Sequence, residues 1–454
     1  MKNFVSVVSL LFITSAIHSS TWTRTFDDGG YSAGTDVIVS KDSCYVVLGY
    51  TVYNSKYNVW LLKVSRDGIL IWEKRFGSSY DEYGYSIDTT YDGGYIISGT
   101  IAYDGINGQG VLLIRTDDSG DTLWTRTFNL SADDRGYCVR QTMDSGYIVE
   151  GRAYTSSCGD MLLLKTDKNG NTIWTKKFTR CSWYYGGGVC ETPDSNYIAV
   201  GTYNNNKSGV MSLFSVSTDN KGDTLWSKLI WAGGSYVYGQ SIRQTLDNNY
   251  IISVAAKNYV WLFKINSNGN ILWDKTIPGG NYGESSVCPT NDSGYIFVDG
   301  ANLIKTDKIG TVQWINPFLS TGNAVKETHD NGYIIAGTIY RYTPYYHTAL
   351  YLIRADPSEA IEENTYSISD KFFSISPNPA SAYATIKYSL PNKTNVSLRI
   401  FDLTGRLVKK LYSGEQVAGT NNVSLKSSEL SKGIYFVTLQ TNSGTKTQKL
   451  TILR

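Results

Sequence analysis

Histidine is nearly missing from this 454-residue chain, which holds only His18, His329 and His347. So few imidazoles leave no basis for a histidine-rich metal site. The six cysteines show no zinc spacing, and proline (9) and methionine (4) are scarce. No segment carries apolar residues at helical spacing, so strands and turns must build the fold. No phosphate loop, nucleophile elbow or metal-ligand cluster appears either. The one sustained apolar run lies in MKNFVSVVSLLFITSAIHSS at the start. A lysine, a run too short for a membrane span, then small residues reads as a signal peptide over 1–20. No later segment is apolar enough to cross a bilayer. Net charge is only +2, but it is unevenly placed: twelve basic against three acidic residues from Lys371 onward, and thirty against thirty-seven before it. An acidic first part argues against nucleic acid as a partner.

What is abundant is tyrosine, at 35, and glycine, at 43. Tyr45, Tyr95, Tyr147, Tyr197, Tyr250, Tyr295 and Tyr333 each open a short apolar run, at spacings of 50, 52, 50, 53, 45 and 38 residues. Trp22, Trp72, Trp124, Trp174, Trp226, Trp273 and Trp314 alternate with them. Residues 84–124 give the unit: GYSIDTT as strand A, a turn at YDGG, YIISGT as strand B, a variable loop, VLLIRT as strand C, a turn at DDSG, and DTLWTRTF as strand D. The A–B turn keeps Ser or Thr, any residue, then Asp, whose carboxylate accepts backbone N–H bonds while Gly, Ser or Asn supplies positive φ. Each unit offers too few close carboxylates for a calcium site. A four-strand unit repeating at this period predicts a propeller.

The C–D segments LLIRTDDSGDTLW, LLLKTDKNGNTIW and LFKINSNGNILW resemble the tryptophan docking motif of quinoprotein-type propellers, with Trp four residues after the turn glycine. The resemblance covers the scaffold and implies that each Trp packs between neighbouring blades. It carries no cofactor site, and no cofactor is expected. The repeat starts on a lone D strand and ends on a C strand, so seven complete blades need Trp22–Phe26 to close on Tyr351–Arg354. The expectation is an all-β chain: a seven-bladed β-propeller over 21–356, a polar linker over 357–370, and a small sandwich over 371–454.

That last segment has Pro377-Asn378-Pro379, then TIKYSLP, VSLRIFDLTGRLVKKL with Gly405, Gly433-Ile434-Tyr435, and a closing QKLTILR containing Lys449. In order and position it resembles the C-terminal sorting domain of the type IX secretion system. The resemblance implies an immunoglobulin-like β-sandwich, the outer-membrane translocon as partner, and a secreted or surface-attached destination.

In a propeller the A–B and C–D turns share one face and the B–C and D–A loops the other. The loop face is variable and rich in aromatics, where binding is usually found. Candidate ligand-binding residues are Tyr53, Tyr83, Trp183, Tyr184, Tyr185, Tyr236, Tyr238, Tyr342 and Tyr345. Strand A places Ile38, Asp88, Arg140, Cys190, Arg243, Cys288 and Lys326 at equivalent positions along the channel; solvated or paired charges are the favoured reading there over an anion-attracting channel. Cys158 and Cys181, both on the loop face, form the candidate disulfide, with Cys138–Cys190 second. Asp81-Glu82 and Asp133-Asp134 read as solvated loop acids, and Glu150, inside strand B, is the irregular one. No catalytic or metal residues are assigned. The expected role is a binding or structural module for glycan or protein, and the alternative is a propeller enzyme, either a glycoside hydrolase or a quinoprotein-type dehydrogenase.

Overall fold

The computed structural model describes residues 21–27, 30–103, 108–154, 159–205, 210–231, 237–256, 259–278, 285–318, 320–341, 346–356, 373–390, 394–402, 406–417, 419–441 and 444–453. The chain divides into two compact units, Met1–Ile361 and Glu362–Arg454.

Strands of the first unit pair antiparallel in chain order, four to a blade. Blade 1 is Ser32–Val39, Tyr45–Tyr53, Lys56–Val64 and Leu70–Phe76. Blade 2 is Asp81–Thr89, Tyr95–Ala102, Gln109–Thr116 and Thr122–Phe128. Blade 3 is Asp133–Gln141, Tyr147–Tyr154, Gly159–Thr166 and the first part of Thr172–Glu191. The second part of that long strand opens blade 4, followed by Tyr197–Asn205, Val210–Thr218 and Thr224–Trp231. Blade 5 is Val237–Gln244, Tyr250–Ala256, Tyr259–Ile265 and Ile271–Pro278. Blade 6 is Ser285–Pro289, Tyr295–Asp299, Asn302–Thr306 and Val312–Pro317. Blade 7 takes Thr321–Glu327, Tyr333–Arg341 and His347–Ala355 from the end of the repeat and Trp22–Phe26 from its start. Trp22 pairs with Arg354 and Phe26 with Leu350. The unit is a seven-bladed β-propeller closed by its own first strand.

Aromatic rings join one blade to the next. Trp22 lies 6.0 Å from Tyr45, Trp72 6.4 Å from Tyr95, Trp124 5.9 Å from Tyr147, Trp273 5.8 Å from Tyr295 and Trp314 5.8 Å from Tyr333. Each tilted or edge-on pair gains about 0.5–1.5 kcal/mol beyond its buried area. The C–D turn glycine of the following blade makes room for the tryptophan: a Cβ on Gly120 would sit 2.8 Å from the Trp72 ring, and one on Gly170 2.9 Å from that of Trp124. Positive φ at both glycines, +79 and +78, adds a second reason for the residue type.

Within each blade a second contact latches strand C to the A–B turn. Six of the turn aspartates meet a cation from strand C: Asp42–Lys63 at 2.7 Å, Asp92–Arg115 at 2.5 Å, Asp144–Lys165 at 2.8 Å, Asp247–Lys264 at 2.6 Å, Asp292–Lys305 at 2.8 Å and Asp330–Arg354 at 2.6 Å. The preceding Ser or Thr donates its hydroxyl to the same carboxylate, as Thr142 does to Asp144 at 2.5 Å. Burial alone would raise the Asp330 carboxyl, yet Thr328 and Arg354 hold it down at about 2. Blade 4 has Ser217 where the others have the cation, and there the Asn196 amide donates to Asp194 at 2.8 Å.

The second unit is a β-sandwich. One sheet orders Phe373–Ser376, Tyr383–Leu390 and Gly419–Lys426; the other orders Leu407–Gln416, Thr394–Phe401, Gly433–Thr441 and Gly444–Ile452. Phe373, Ile386, Tyr388, Leu398, Val437 and Leu450 fill the core. Asn378, between its two prolines, spans to the last strand: its Nδ2 donates to Lys449 O at 2.7 Å and its Oδ1 accepts from Thr451 N at 2.9 Å. Tyr435 is buried with its hydroxyl on Ser431 O at 2.9 Å, while Lys449 is exposed and Gly405 lies outside the described residues.

Lys165 is 2 % exposed, so removing its one carboxylate partner among the described residues strands a buried charge. Because Asp144 is itself more than half exposed, the expected cost of Asp144→Ala is about 2 kcal/mol, below that of a fully buried pair. Asp194→Ala in blade 4 strands no cation and loses only hydrogen bonds from uncharged donors, so it should cost about 1 kcal/mol. Urea unfolding of both variants checks the order.

Candidate functional site

On the loop face, strand A of most blades carries a β-bulge that leaves one residue unpaired. In blades 2 and 3 the residues skipped by the register are Tyr85 and Tyr137; in blades 1 and 7 they are Thr35 and Asn323. A bulge bends the strand and re-aims the extra side chain. Thr35 Oγ1 thereby donates to Gly84 O of the next blade at 2.8 Å, and Asn323 Nδ2 to Gly34 O at 2.7 Å. Tyr137 likewise lies over the next blade, its ring 2.2 Å from where a Cβ on Gly186 would be.

Around these bulges five half-buried tyrosines form a continuous run across blades 1 to 3. Tyr50 lies 5.7 Å from Tyr57 and 5.2 Å from Tyr83; Tyr57 and Tyr83 are 4.9 Å apart; Tyr83 stacks on Tyr85 at 6.5 Å and 5°; Tyr85 meets Tyr137 at 5.7 Å. Charged planar groups flank the far end. Asp133 takes Arg152 Nη2 at 2.6 Å and Arg135 Nε at 3.5 Å. Three more tyrosines are exposed on the same face at the closing blade: Tyr346 lies 6.2 Å from Tyr31 and 6.5 Å from Tyr340. Flat rings beside charged, planar hydrogen-bonding groups can stack on an apolar face while meeting hydroxyls at its edge.

The candidates named from sequence separate into four groups. Tyr83 is a member of the run. Tyr53 is exposed, with Arg75 over its ring at 5.6 Å. Tyr184 is not on the surface at all: it is 4 % exposed and donates its hydroxyl to Glu150 at 2.6 Å. Tyr236, Tyr342, Tyr345 and the side chains of Trp183, Tyr185 and Tyr238 lie outside the described residues, as do Cys158 and the Cys181 side chain. Cys138 and Cys190 are free thiols rather than a disulfide, and Cys190 Sγ contacts Ile242 O at 3.3 Å. Tyr85, Tyr137, Arg135 and Arg152 went unnoticed in sequence; the alternation of Tyr83 with Tyr85 and the recurring Gly-Tyr at 84–85 and 136–137 were the available signal.

The loop acids are braces rather than solvated charges. Glu82 and Asp134, at equivalent positions of blades 2 and 3, are buried and fold back on Ser78 and on the Leu130–Ser131 backbone. Asp81 accepts Tyr57 N at 2.8 Å. The seven turn aspartates are likewise occupied by cations or amides, and no metal-ligand group occurs among the described residues. Glu150 is fully buried between blades 3 and 4 and receives Tyr184 Oη and Gly187 N, the latter at 3.2 Å. Burial pushes its carboxyl up to about 8 against the pull of these two donors.

A glutamate that ionises near 4.3 when unfolded and about 8 when folded keeps its proton in the fold across that window. Wild-type stability should therefore fall as pH rises from about 5 to 8, because only the folded state binds the proton. Glu150→Gln should lack this loss, so the gap between variant and wild type widens with pH in urea midpoints taken at about pH 5 and 8.

No curated protein matches the sequence. Among solved structures, hydrazine synthase of Kuenenia stuttgartiensis is similar at TM-score 0.46 and 11% identity, over 68% of this chain and 96% of that one. An α-L-arabinanase of Penicillium chrysogenum, complexed with arabinobiose, gives TM-score 0.44 and 7% identity over 59% and 91%. An α-L-arabinofuranosidase of Fusarium graminearum gives TM-score 0.43 and 9% identity over 59% and 92%. Residues 374–453 match the secretion system C-terminal sorting domain. The sandwich with its Asn378 bridge is thus a type IX sorting domain, and the chain that carries it is an exported protein, secreted or held at the cell surface.

Proposed function

We propose that the propeller is the exported cargo and acts as a recognition module, binding a glycan on the tyrosine-rich loop face. Under this reading residues 1–20 direct export and are removed, 357–370 tether the cargo, and the sorting domain is read by the type IX translocon. The observation that carries the binding role is the run of half-buried rings from Tyr50 to Tyr137, set beside Arg135, Arg152 and Asp133. Tyrosines packed this way cost little entropy on binding because their neighbours already hold them. Sugar rings offer an apolar face for such a surface and hydroxyls for the charged edge.

A hydrolytic reading needs two facing carboxyl groups free to act on a substrate. On this face Glu82, Asp134 and Glu150 are buried and bonded within the protein, and Asp133 is held by two arginines. That pattern favours binding over hydrolysis.

Binding should be seen on an array of surface and plant polysaccharides with the full secreted chain. Tyr85→Ala and Tyr137→Ala are each expected to weaken it by about tenfold or more, equal to about 1.4 kcal/mol. Tyr53→Ala, away from the run, should change it little. A wild-type protein that binds no glycan, or variants that bind as tightly as wild type, would sink the assignment.

A further inference from the structure

The axis of the propeller holds more cations than its acids use. Ile38, Asp88, Arg140, Cys190, Arg243, Cys288 and Lys326 occupy one register level of strand A, each opposite a residue one step past the strand B tyrosine. The three cations stand on blades 3, 5 and 7, spaced around the ring rather than clustered on one side. The level lies next to the A–B turns, at the opposite mouth from the tyrosine run.

The neighbouring acids are already satisfied by backbone. Asp88 accepts Thr89 N and Gln141 N, both at 3.0 Å. Asp36, one step deeper, accepts Val37 N at 2.9 Å, Ile87 N at 3.1 Å and Ser86 Oγ at 3.3 Å. Its approach to Lys326 is long, at 3.9 Å. Arg140 spends Nη1 on Val139 O at 2.6 Å and Ser86 Oγ at 3.2 Å, and Arg243 spends Nη1 on Ile242 O at 2.9 Å. Among the described residues neither arginine meets a carboxylate within ion-pair distance. Both arginines and Lys326 are half-buried, so part of each side chain stays open to solvent. A guanidinium has five N–H donors, and here most of them have no protein acceptor. Burial, then Arg243 and Arg140, depresses the Lys326 ammonium, and the distant Asp36 offsets only part of that depression.

We infer that Arg140, Arg243 and Lys326 form an axial site for a small oxyanion, a phosphate, sulfate or carboxylate group, entering from the tight-turn mouth. Three cationic side chains at one level of alternate blades suit a group with several acceptor oxygens, and forked guanidinium groups favour such anions over chloride. The site is independent of the loop-face tyrosines, so either assignment can fail without the other.

The test uses inorganic sulfate and inorganic phosphate, titrated into the purified full chain with sodium chloride holding ionic strength constant. Melting temperature and calorimetric heat are read together. Wild type should show saturable stabilisation by at least one of the two anions, since a ligand of the folded state alone stabilises by mass action. Arg243→Gln and Lys326→Met should each weaken that response at least tenfold, while Lys326→Arg retains it. In chloride alone both neutralising variants should be as stable as wild type or more so, because one of three repelling cations has gone. A purely structural role predicts the opposite, with variants weakened in chloride and no anion response to lose. Either that result, or equal sulfate and phosphate responses in wild type and both variants, overturns the site.

Discussion

A ring of sheets depends on one seam. Six blades of this propeller take their four strands consecutively from the chain, but the seventh must take its outer strand by hydrogen bonds between residues more than 320 apart. Trp22–Phe26 supplies the outer strand of the last blade in five-residue register with Leu350–Arg354. Side chains reinforce the backbone: Arg341 reaches Thr25 Oγ1 at 3.2 Å and His347 meets Asp27 at 2.9 Å. Without the seam, strand C of blade 7 is a free edge and blade 1 loses the tryptophan that covers its C–D turn. Trp22 performs both tasks, since it also donates Nε1 to Arg66 O at 2.9 Å.

Around the rest of the ring, two repeated contacts divide the work. The tryptophan holds one blade to the next and the cation–aspartate latch holds a blade's inner turn to its strand C. They are linked, because the latch cations also reach the next blade. Arg115 Nε donates to Tyr147 Oη at 3.0 Å, and Lys264 lies 5.7 Å over the Tyr295 ring. The latch in turn constrains the turn sequence. A Cβ on Gly94, Gly146, Gly294 or Gly332 would fall 2.1–2.5 Å from the cation. Blade 4 resolves the same problem differently, dropping the cation to Ser217 and using the Asn196 amide. Buried charge is thus not required for the turn, only a donor at that place.

These periodic features are what made the fold readable. Tyr, Trp, Gly and Asp recur because each answers a local geometric demand that every blade repeats, and the phase of the repeat exposed the seam. The candidate site was read less well, for reasons of register. A bulge shifts which residue faces where, and pairing partners decide the bulge, so the Gly-Tyr pairs at 84–85 and 136–137 mark Tyr85 and Tyr137 without showing where their rings go. The same shift carries Tyr184 inward to Glu150, against its appearance as one of three adjacent loop aromatics. Glu82 and Asp134 look like solvated acids in one dimension, yet each caps its own D–A loop from a buried position. Cys138 and Cys190 sit on adjacent inner strands, but the Cys190 thiol is turned toward the Ile242 carbonyl of blade 5.

The two ends of the channel are built to different rules, and the difference follows from chain connectivity. A–B and C–D turns are short because their strands pair directly, so their residues are committed to closing the turn and receiving the latch. B–C and D–A loops must span a variable distance, and their side chains are free to diversify. Polar groups at the turn end are therefore held to fixed positions by the repeat, and charges there recur at one level of strand A. Aromatic groups at the loop end vary from blade to blade, and the rings run continuously only across blades 1 to 3 among the described residues. A surface of the second kind can be retuned for a new ligand by substitution in three blades, while the seam, the tryptophans and the latches that hold it in place remain untouched.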